Sequence, residues 1–531
     1  MKTISLPKAV NILGAVSVIY IVISRFWRLD RGLIFSDEGW YVVLLRDNPI
    51  FNSPIRFYKL FQFGIQNDIY GMRLLTCVLT LAAIGLFGYS VYRLQKNRGQ
   101  NLSFLFCLSV VALGSLQAHS ISTPNYINLN LLFGLLPVST CLLFVSAKKD
   151  YLSVLTSFFA SFLFIMQVLG IILIPFLYVV ILYSSNKKFR TSLSFAAGII
   201  LFFCLFFLFI ESPNELVDRL VSQTQNVSSN HTGDYGIVFL IKWTVTSFSY
   251  IIKFLIAAIL FYQGTKWVKR KNIHKKWAIA LYAALFFALI GYVNVFINPH
   301  CHASSLSRFN QLGIPFFFAF LSIVAGWERL NREDILVSLL LLITPFALCL
   351  GTNTEFLARY STFLVFLLPV IFILTRPADN LKLFALIYFA VTLVVSIATI
   401  NKANWMGERP SDMNIPVKTI GIDQNLKLTD RNIKQLKFCQ QNIKKDALCY
   451  SVSQTWGFVG LLDLTPACYE WNIPQSDMLS ENINKQIGEH EIAIISSDRE
   501  RFRHEEFKLS NNIEHRVLSQ DGIYIDLYVL K

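Results

Sequence analysis

Residues 191–210, TSLSFAAGIILFFCLFFLFI, run for twenty positions without a charged side chain. An α-helix of about 20 apolar residues is long enough to cross the hydrocarbon core of a bilayer. The rest of the chain is similar, since its 531 residues are 54% hydrophobic, 15% charged and include 46 Phe, with a mean hydropathy of +0.50. So apolar a chain is neither a water-soluble globule nor a disordered protein. The composition predicts a polytopic α-helical membrane protein.

The apolar stretches, cut at charged or turn-rich breaks, give about thirteen candidate transmembrane helices. The stretch 151–185 is too long for one span, so we divide it at Gln167 into two short spans, with re-entrant segments as the alternative. No small-residue cleavage site follows the first apolar run, so no cleavable signal is expected. The predicted spans are 9–25, 69–92, 102–118, 127–147, 151–166, 168–185, 191–210, 237–262, 277–297, 309–326, 335–350, 360–375 and 381–400.

Basic residues divide unevenly between the loops on the two sides of these spans. With the N-terminus inside, the inside loops hold 20 Lys and Arg in 54 residues, and the outside loops hold 8 in 98. Because positive loops stay in the cytoplasm, we predict a multi-pass plasma- or inner-membrane protein with a cytoplasmic N-terminus. Residues 401–531 are then exported. They hold 16 basic and 18 acidic residues, so the net charge of +15 belongs to the membrane part and does not indicate a nucleic-acid partner.

Residues 401–531 have the composition of a small soluble α/β domain. Residues 430–442 are typical of an amphipathic helix that starts near Asp430. Residues 447–452 and 491–496 are predicted to be buried strands, and 514–520 with 523–529 a hairpin around Asp521-Gly522. The sequence therefore divides into a membrane domain, residues 1–400, with a first exported loop at 26–68, and an exported domain, residues 401–531.

Three cysteines, Cys439, Cys449 and Cys468, fall in the exported domain. An oxidising compartment would allow one disulfide among them. The sequence does not choose the pair, and the odd number leaves one thiol over.

The first exported loop is the richest in acids, and near its start it carries FSDEGWY, residues 35–41. No acid lies deep in a predicted span, which argues against an ion pathway through the bilayer. The adjacent acids Asp37 and Glu38 could simply cap a helix. They also stand beside Trp40 and Tyr41, which are natural platforms for a sugar or for the lipid interface. Two adjacent acids point the same way only if the backbone turns, and we interpret Gly39 as the residue that permits such a turn.

An Asp-Glu pair in the first outside loop, just after the first span, resembles the GT-C superfamily of membrane glycosyltransferases. These include protein O-mannosyltransferases, the aminoarabinose transferase of lipid A and the rhizobial lipopolysaccharide-core transferases. The most specific match is SDEGWY, residues 36–41. Supporting matches are YGMRL at 70–74, TPNY at 123–126 with Asn128, and GTN at 351–353. The overall layout is similar as well, with the N-terminus inside, many spans and an exported C-terminal domain.

The resemblance implies transfer of a sugar from a polyprenyl phosphate, with inversion, on the non-cytoplasmic face. It implies that Asp37 is the base that takes the proton of the acceptor hydroxyl. Glu38 would be a second catalytic acid, or would raise the pKa of Asp37 by like-charge repulsion. A divalent cation assists some members, and Asp37 with Asp68 could hold one, but their spacing defines no metal site. The implied partners are the lipid-linked donor, a glycan, lipid or protein acceptor, and the bilayer.

A departing phosphate needs cations, and four basic residues are candidates: Arg73, Arg308 and Arg359 near outer span ends, and Lys253, which lies 11 residues from Lys242 and shares its helix face if the eighth span is continuous. The alternative for each is snorkelling towards the lipid headgroups. The motif His300-Cys301-His302 lacks a third metal ligand nearby, so His302 is assigned to acceptor contact or loop polarity. The candidate substrate-binding residues are Asp68, Arg73, Asn125, Tyr126, Asn128, Lys253, His302, Arg308 and Arg359.

Two other classes of membrane protein remain as alternatives. A polysaccharide or lipid transporter is expected to carry polar residues at mid-membrane and often an inverted repeat, and neither is evident. An O-antigen polymerase or ligase usually carries its main exported loop in mid-chain, whereas here the largest exported pieces are residues 26–68 and 401–531. An enzyme of the proposed kind would place Asp37 in a cavity open to lipid and to the exported side, with one of the four cations within about 10 Å.

Overall fold

A computed structural model describes most of both predicted domains. Four helices in the described part are long and apolar enough to cross a membrane, judged by length and composition: Pro7–Arg28, Ile69–Asn97, Asn128–Ala147 and Lys188–Phe209. The described residues are 6–33, 35, 37–47, 68–115, 126–166, 168–218, 221, 237–270, 284, 303–349, 361–374, 379–398, 409–452, 455–468, 481, 483–487, 490–497, 510 and 512–530.

The predicted membrane domain is helical throughout its described part. A 3-10 turn, Val168–Ile172, precedes α7, and a composite helix of Ser361–Phe366, Leu367–Pro369 and Val370–Leu374 separates α11 from α12. The helices are α1 (Leu6–Arg28), α2 (Asp37–Asp47), α3 (Ile69–Asn97), α4 (Phe104–Gly114), α5 (Tyr126–Ala147), α6 (Asp150–Met166), α7 (Leu173–Ser184), α8 (Lys188–Phe209), α9 (Ile237–Arg270), α10 (Ala303–Gly326), α11 (Arg332–Cys349) and α12 (Asp379–Ala398).

A helical segment coincides with each predicted span except 277–297, which lies outside the described residues. The division near Gln167 agrees with the structure, where α6 ends at Met166 and a 3-10 turn begins at Val168. Helix α9 continues to Arg270, beyond the predicted end of the eighth span at 262, and that span end stays a prediction. Charged residues mark where a helix leaves the bilayer, but lysine and arginine are good helix formers and do not end it.

The composite helix at 361–374 lies at the centre of the bundle, with residues 363–374 all buried. It packs against α4, α10 and α11. Gly114 of α4 meets the backbone of Val365 so closely that a Cβ there would overlap it. Lipid is as apolar as leucine, so such close packing holds membrane helices together where the hydrophobic effect cannot.

The C-terminal domain, residues 401–531, keeps the name exported domain for its predicted location, and its described part contains a five-stranded mixed sheet in the order β4-β3-β5-β7-β6. Strand β3 is parallel to both of its neighbours, while β5, β7 and β6 run antiparallel. Strands β1 and β2 form a separate antiparallel pair. The elements are β1 (Ile415–Pro416), β2 (Lys427–Leu428), α13 (Asp430–Asn442), β3 (Leu448–Ser451), α14 (Trp456–Leu461), β4 (Thr465–Pro466), β5 (Ile492–Ser497), β6 (Ile513–Gln520) and β7 (Ile523–Leu530).

Local sequence signals explain two of these elements. Helix α13 has the predicted bounds, and its N-cap is Thr429, whose hydroxyl accepts from the backbone N–H of Asn432 at 3.3 Å. Asp521 and Gly522 have φ values of 50° and 81°, which is the pair of positive φ angles that a type I′ hairpin turn requires. The hairpin predicted around them is therefore confirmed.

The three exported cysteines are free thiols, so the structure does not contain the disulfide considered from the sequence. Cys439 and Cys449 are fully buried, and burial raises the pKa of the Cys449 thiol to about 12. A buried thiol of this kind acts as a small apolar packing residue.

The exported domain docks on the first exported loop. Lys427 donates its backbone N–H to the carbonyl of Asp30 at 2.6 Å, and its ammonium lies 2.5 Å from the Asp30 carboxylate. Arg46, near the end of α2, reaches Asp463 at 2.7 Å and the carbonyl of Leu464 at 2.8 Å. These contacts fix α2 between the membrane helices and the sheet.

Gly39 has a different role from the predicted one. It lies inside α2, and it is not among the glycines with positive φ. A Cβ at Gly39 would overlap the backbone nitrogen of Gly457 in α14, so the residue permits two helices to cross in near contact. The interpretation of Gly39 as a turn residue is wrong, because sequence alone did not reveal a partner helix 418 positions away.

Candidate active site

The acid pair of the first loop lies at the start of α2, beside the C-terminal end of α1 and the N-terminal end of α3. Glu38 and Arg73 form a buried ion pair, with Nη2–Oε2 and Nε–Oε1 distances of 2.6 and 3.0 Å. Their side chains are 1% and 4% exposed. Such a bidentate pair fixes both side chains, and removing one partner of a buried pair typically costs about 3–5 kcal/mol.

Arg73 also holds the end of α1. Its Nη1 donates to the carbonyls of Arg28, Leu29 and Arg31 at 3.2, 3.0 and 3.2 Å, and its Nη2 donates to that of Gly32 at 2.8 Å. The last carbonyls of a helix have no partner within the helix and carry its negative dipole end. The guanidinium of Arg73 donates hydrogen bonds to these carbonyls and places a positive charge beside the negative end of the helix dipole.

The structure therefore gives Glu38 and Arg73 roles that differ from those expected from the sequence. All three guanidinium nitrogens of Arg73 are occupied by protein atoms, so binding a lipid phosphate would require breaking the clamp on α1 and α2. Glu38 is equally committed, because both of its carboxylate oxygens accept from Arg73. We reassign both residues as the pair that positions α2.

Asp37 is the first residue of α2, and its side chain lies outside the described atoms. Its backbone position is next to Glu38, at the N-terminal end of the helix, where the dipole favours a negative charge. The expectation that its carboxylate lines a cavity stays a prediction.

Asp68 is the N-cap of α3. Its two oxygens accept from the backbone N–H groups of Tyr70 and Gly71 at 3.3 and 3.2 Å, and the Asn425 amide donates to it at 3.4 Å. Capping occupies the lone pairs that a divalent cation would need. In the part of the chain that the structure describes, no cluster of three or more His, Cys, Asp or Glu could hold a metal.

A cavity of about 450 Å³ lies beside this cap, between the start of α3 and the exported domain. Lys427, which is paired with Asp30, and the polar side chains of Gln424 and Asn425 reach it. The Gln424 side-chain oxygen accepts from the N–H of Ile69 at 3.1 Å, so the exported domain is hydrogen-bonded to the end of α3. Its lining residues are Asp30, Tyr70, Pro416, Lys418, Gln424, Asn425, Leu426 and Lys427.

Sequence reasoning missed the contribution of the exported domain to this site. It named no residue of 401–531, because isolated polar side chains in a soluble domain carry no local signal.

The predicted spans placed Arg25 at a span boundary, whereas Arg25 is 4% exposed and lies beside Cys77 of α3. The sequence did contain a signal for Arg25. Arg25 and Arg28 are three positions apart, so they lie on the same face of α1 and could have been expected to meet a common neighbour.

The remaining predicted residues are not brought together by the described part. Asn128 is buried in α5, and Lys253 lies half-buried on α9, which is continuous past it as the predicted alignment with Lys242 requires. Three of the other predicted residues are outside the described residues, and two are described only by the backbone of α5 or α10. The first group is Asn125, His302 and Arg359, and the second is Tyr126 and Arg308.

No protein-family model matches this chain, and no curated protein matches it. Among solved structures, the fold is similar to that in the crystal structure of ArnT from Cupriavidus metallidurans bound to undecaprenyl phosphate. The match covers 97% of each chain at 12% sequence identity, with a TM-score of 0.38.

Proposed function

We propose that this chain is an inverting membrane glycosyltransferase of the GT-C type. It would transfer a sugar from a polyprenyl phosphate to an acceptor hydroxyl on the non-cytoplasmic face. Three features support the proposal: the SDEGWY motif at residues 36–41, its location at the junction of membrane helices and exported domain, and the cavity beside that junction.

The observation that carries the assignment of the base is the Glu38–Arg73 pair. Of two adjacent acids, one is buried and held by a guanidinium through both oxygens. A carboxylate that is 1% exposed and held through both of its oxygens does not reach a substrate. The catalytic role in the acid pair then falls to Asp37.

In the proposed reaction, the Asp37 carboxylate takes the proton of the acceptor hydroxyl as its oxygen attacks the anomeric carbon. The bond from that carbon to the phosphate oxygen breaks on the opposite face, and the polyprenyl phosphate leaves with the electron pair. Attack opposite the leaving group inverts the anomeric configuration. The proton on Asp37 is then lost to solvent.

Cations near the outer face would stabilise the departing phosphate. Because Arg73 is bound to α1 and α2, Lys253, Arg308 and Arg359 would stabilise the phosphate instead. The cavity beside Asp68 is proposed as part of the acceptor side, since it lies where the exported domain meets α3.

Substitution of Asp37→Asn tests the proposal. The purified full-length chain in proteoliposomes is given a panel of sugars on undecaprenyl phosphate, and released undecaprenyl phosphate is measured. We expect Asp37→Asn to lower turnover by about 10²–10⁴-fold while leaving donor binding and the melting temperature near wild type.

Asp218→Asn is the matched control, because Asp218 is an exposed acid of another predicted outside loop. It should keep full activity. Full activity of Asp37→Asn would refute the assigned base, and a wild-type chain that consumes no lipid-linked sugar would refute the enzyme and favour a transporter.

A further inference from the structure

A second cavity, of about 470 Å³, lies at the opposite ends of the helices, where α6 and α8 begin and α7 ends. Its loops, 148–150 and 186–190, are among the basic loops that predict the cytoplasmic face. We call it the inner basic cavity. Its lining residues are Lys148, Lys149, Asp150, Tyr151, Ser185, Asn186, Lys187, Arg190 and Thr191.

The inner basic cavity carries a clear excess of positive charge. Four cations and one carboxylate line it. Arg190 pairs with Asp150 at 2.6 Å, and Lys148 pairs with Glu333 at 2.8 Å. Lys149 and Lys187 are exposed, and no described carboxylate pairs with either one. A cavity with two cations left over attracts an anion.

Two hydroxyl groups, hydrogen-bonded to each other, form the floor of the cavity. Ser185 and Thr191 join their hydroxyls at 2.6 Å, and the N–H of Lys187 donates to Ser185 at 3.0 Å. Helix α8 starts just after Lys187, which provides no side-chain cap. The first N–H groups of α8 and its positive dipole end are therefore available to an anionic oxygen.

The surroundings of the cavity are apolar and exposed. Tyr151 and Tyr183 are 59% and 48% exposed, and Phe189, between two basic residues, is 79% exposed. Aromatic side chains of this kind sit at the level of lipid headgroups. The adjoining α8 is among the helices apolar enough to span the bilayer. An occupant with a charged head and apolar chains fits both parts of the site.

We propose that the inner basic cavity binds the phosphodiester headgroup of an anionic phospholipid from the adjacent leaflet. The headgroup lies between Lys149, Lys187 and the start of α8, with its acyl chains along the exposed aromatic residues. Basic pockets between transmembrane helices are known binding sites for the headgroups of anionic phospholipids. The lipid bridges α6, α7 and α8 at the end where only short loops join them. The proposal is independent of glycosyl transfer.

Native mass spectrometry of the full-length chain in mild detergent tests this site. The probes are palmitoyl-oleoyl-phosphatidylglycerol, the matching phosphatidylcholine and inorganic phosphate. We expect preferential binding of phosphatidylglycerol, weakened by added salt. The double variant Lys149→Gln/Lys187→Gln should bind it about 30-fold more weakly, since each basic residue near an anionic headgroup contributes about a fivefold factor.

The double variant Lys8→Gln/Lys96→Gln is the control, because it removes two exposed lysines of the same predicted face that line no described cavity. It should bind phosphatidylglycerol like the wild type. Equal loss in both double variants, or equal binding of phosphatidylcholine by the wild type, overturns the proposal. Binding of inorganic phosphate as tight as that of phosphatidylglycerol overturns the lipid assignment in favour of a free anion.

Discussion

At the scale of single residues, the buried pair of Glu38 and Arg73 separates two acids that are adjacent in sequence. Glu38 is inside the protein and Arg73 joins it to four carbonyls at the end of α1. A charge buried with its partner is tolerated, but a charge buried alone is costly. Replacing each acid by its amide is therefore expected to have different effects. The change should lower the stability of the protein at Glu38 and its turnover at Asp37.

Glu38→Gln removes the negative charge and leaves Arg73 buried without its counter-ion. We expect a loss of about 3–5 kcal/mol in the free energy of unfolding, seen as a lower melting temperature in detergent. Glu481→Gln, which removes an exposed acid paired with Lys485 at 2.6 Å, is the control and should leave the melting temperature unchanged. A Glu38→Gln protein as stable as the wild type would contradict the structural role of the pair.

At the scale of elements, α2 is held on both sides. Its start is tied to α1 and α3 through Arg73, its end is tied to Asp463 through Arg46, and its first turn crosses α14 at Gly39. The ring of Phe35, just before α2, packs against that of Phe458 in α14 in a tilted arrangement, with 4.7 Å between the ring centroids. The helix that bears Asp37 is thus positioned by the exported domain as much as by the membrane helices.

Gly39→Ala should force α2 and α14 apart, because the new methyl group has no room beside the backbone of Gly457. Overpacking of this kind costs about 1–3 kcal/mol, and turnover should fall as α2 shifts. The melting temperature and the rate of limited proteolysis of the exported domain report the change.

Gly85→Ala in α3 is the matched control, since no atom lies within 4 Å of a Cβ placed there. Replacing that helical glycine should leave the fold intact or stabilise it slightly. Equal effects of the two substitutions would argue that the crossing of α2 and α14 is looser than the structure has it.

At the scale of the whole molecule, the two candidate sites lie at opposite ends of the helices. The acid pair and its cavity are beside the exported domain, and the inner basic cavity is at the loops 148–150 and 186–190. Only one orientation in the membrane makes both proposals chemically sensible, because the donor would be used outside and basic loops stay inside.

Labelling of engineered cysteines checks this orientation. Asp423→Cys, at a fully exposed position, and Lys149→Cys are each made in a chain whose Cys301 and Cys468, the first in a predicted outside loop, are replaced by Ser. In intact cells, a membrane-impermeant maleimide should label the first and spare the second, and permeabilised cells should allow both. The reverse pattern would invert the orientation and remove the outer active site.

The sequence by itself determined the class of the protein and much of its secondary structure. Uninterrupted apolar runs predict membrane helices because backbone groups in lipid must pair within the segment, and Asp521-Gly522 predicts its hairpin because the turn needs positive φ. These properties depend on neighbouring residues alone. They are why the helix at 430–442 could be predicted, and why a helical segment lies at most of the predicted spans.

Only the tertiary structure decided the roles of Glu38, Arg73 and Gly39. Each depends on a partner remote in sequence: Glu38 and Arg73 are 35 residues apart, and Gly39 meets Gly457. Burial and pairing, which decide whether a carboxylate is available for chemistry, arise when the chain brings such residues together. A local motif can propose which acids matter, but the packing around them decides which one is held in place.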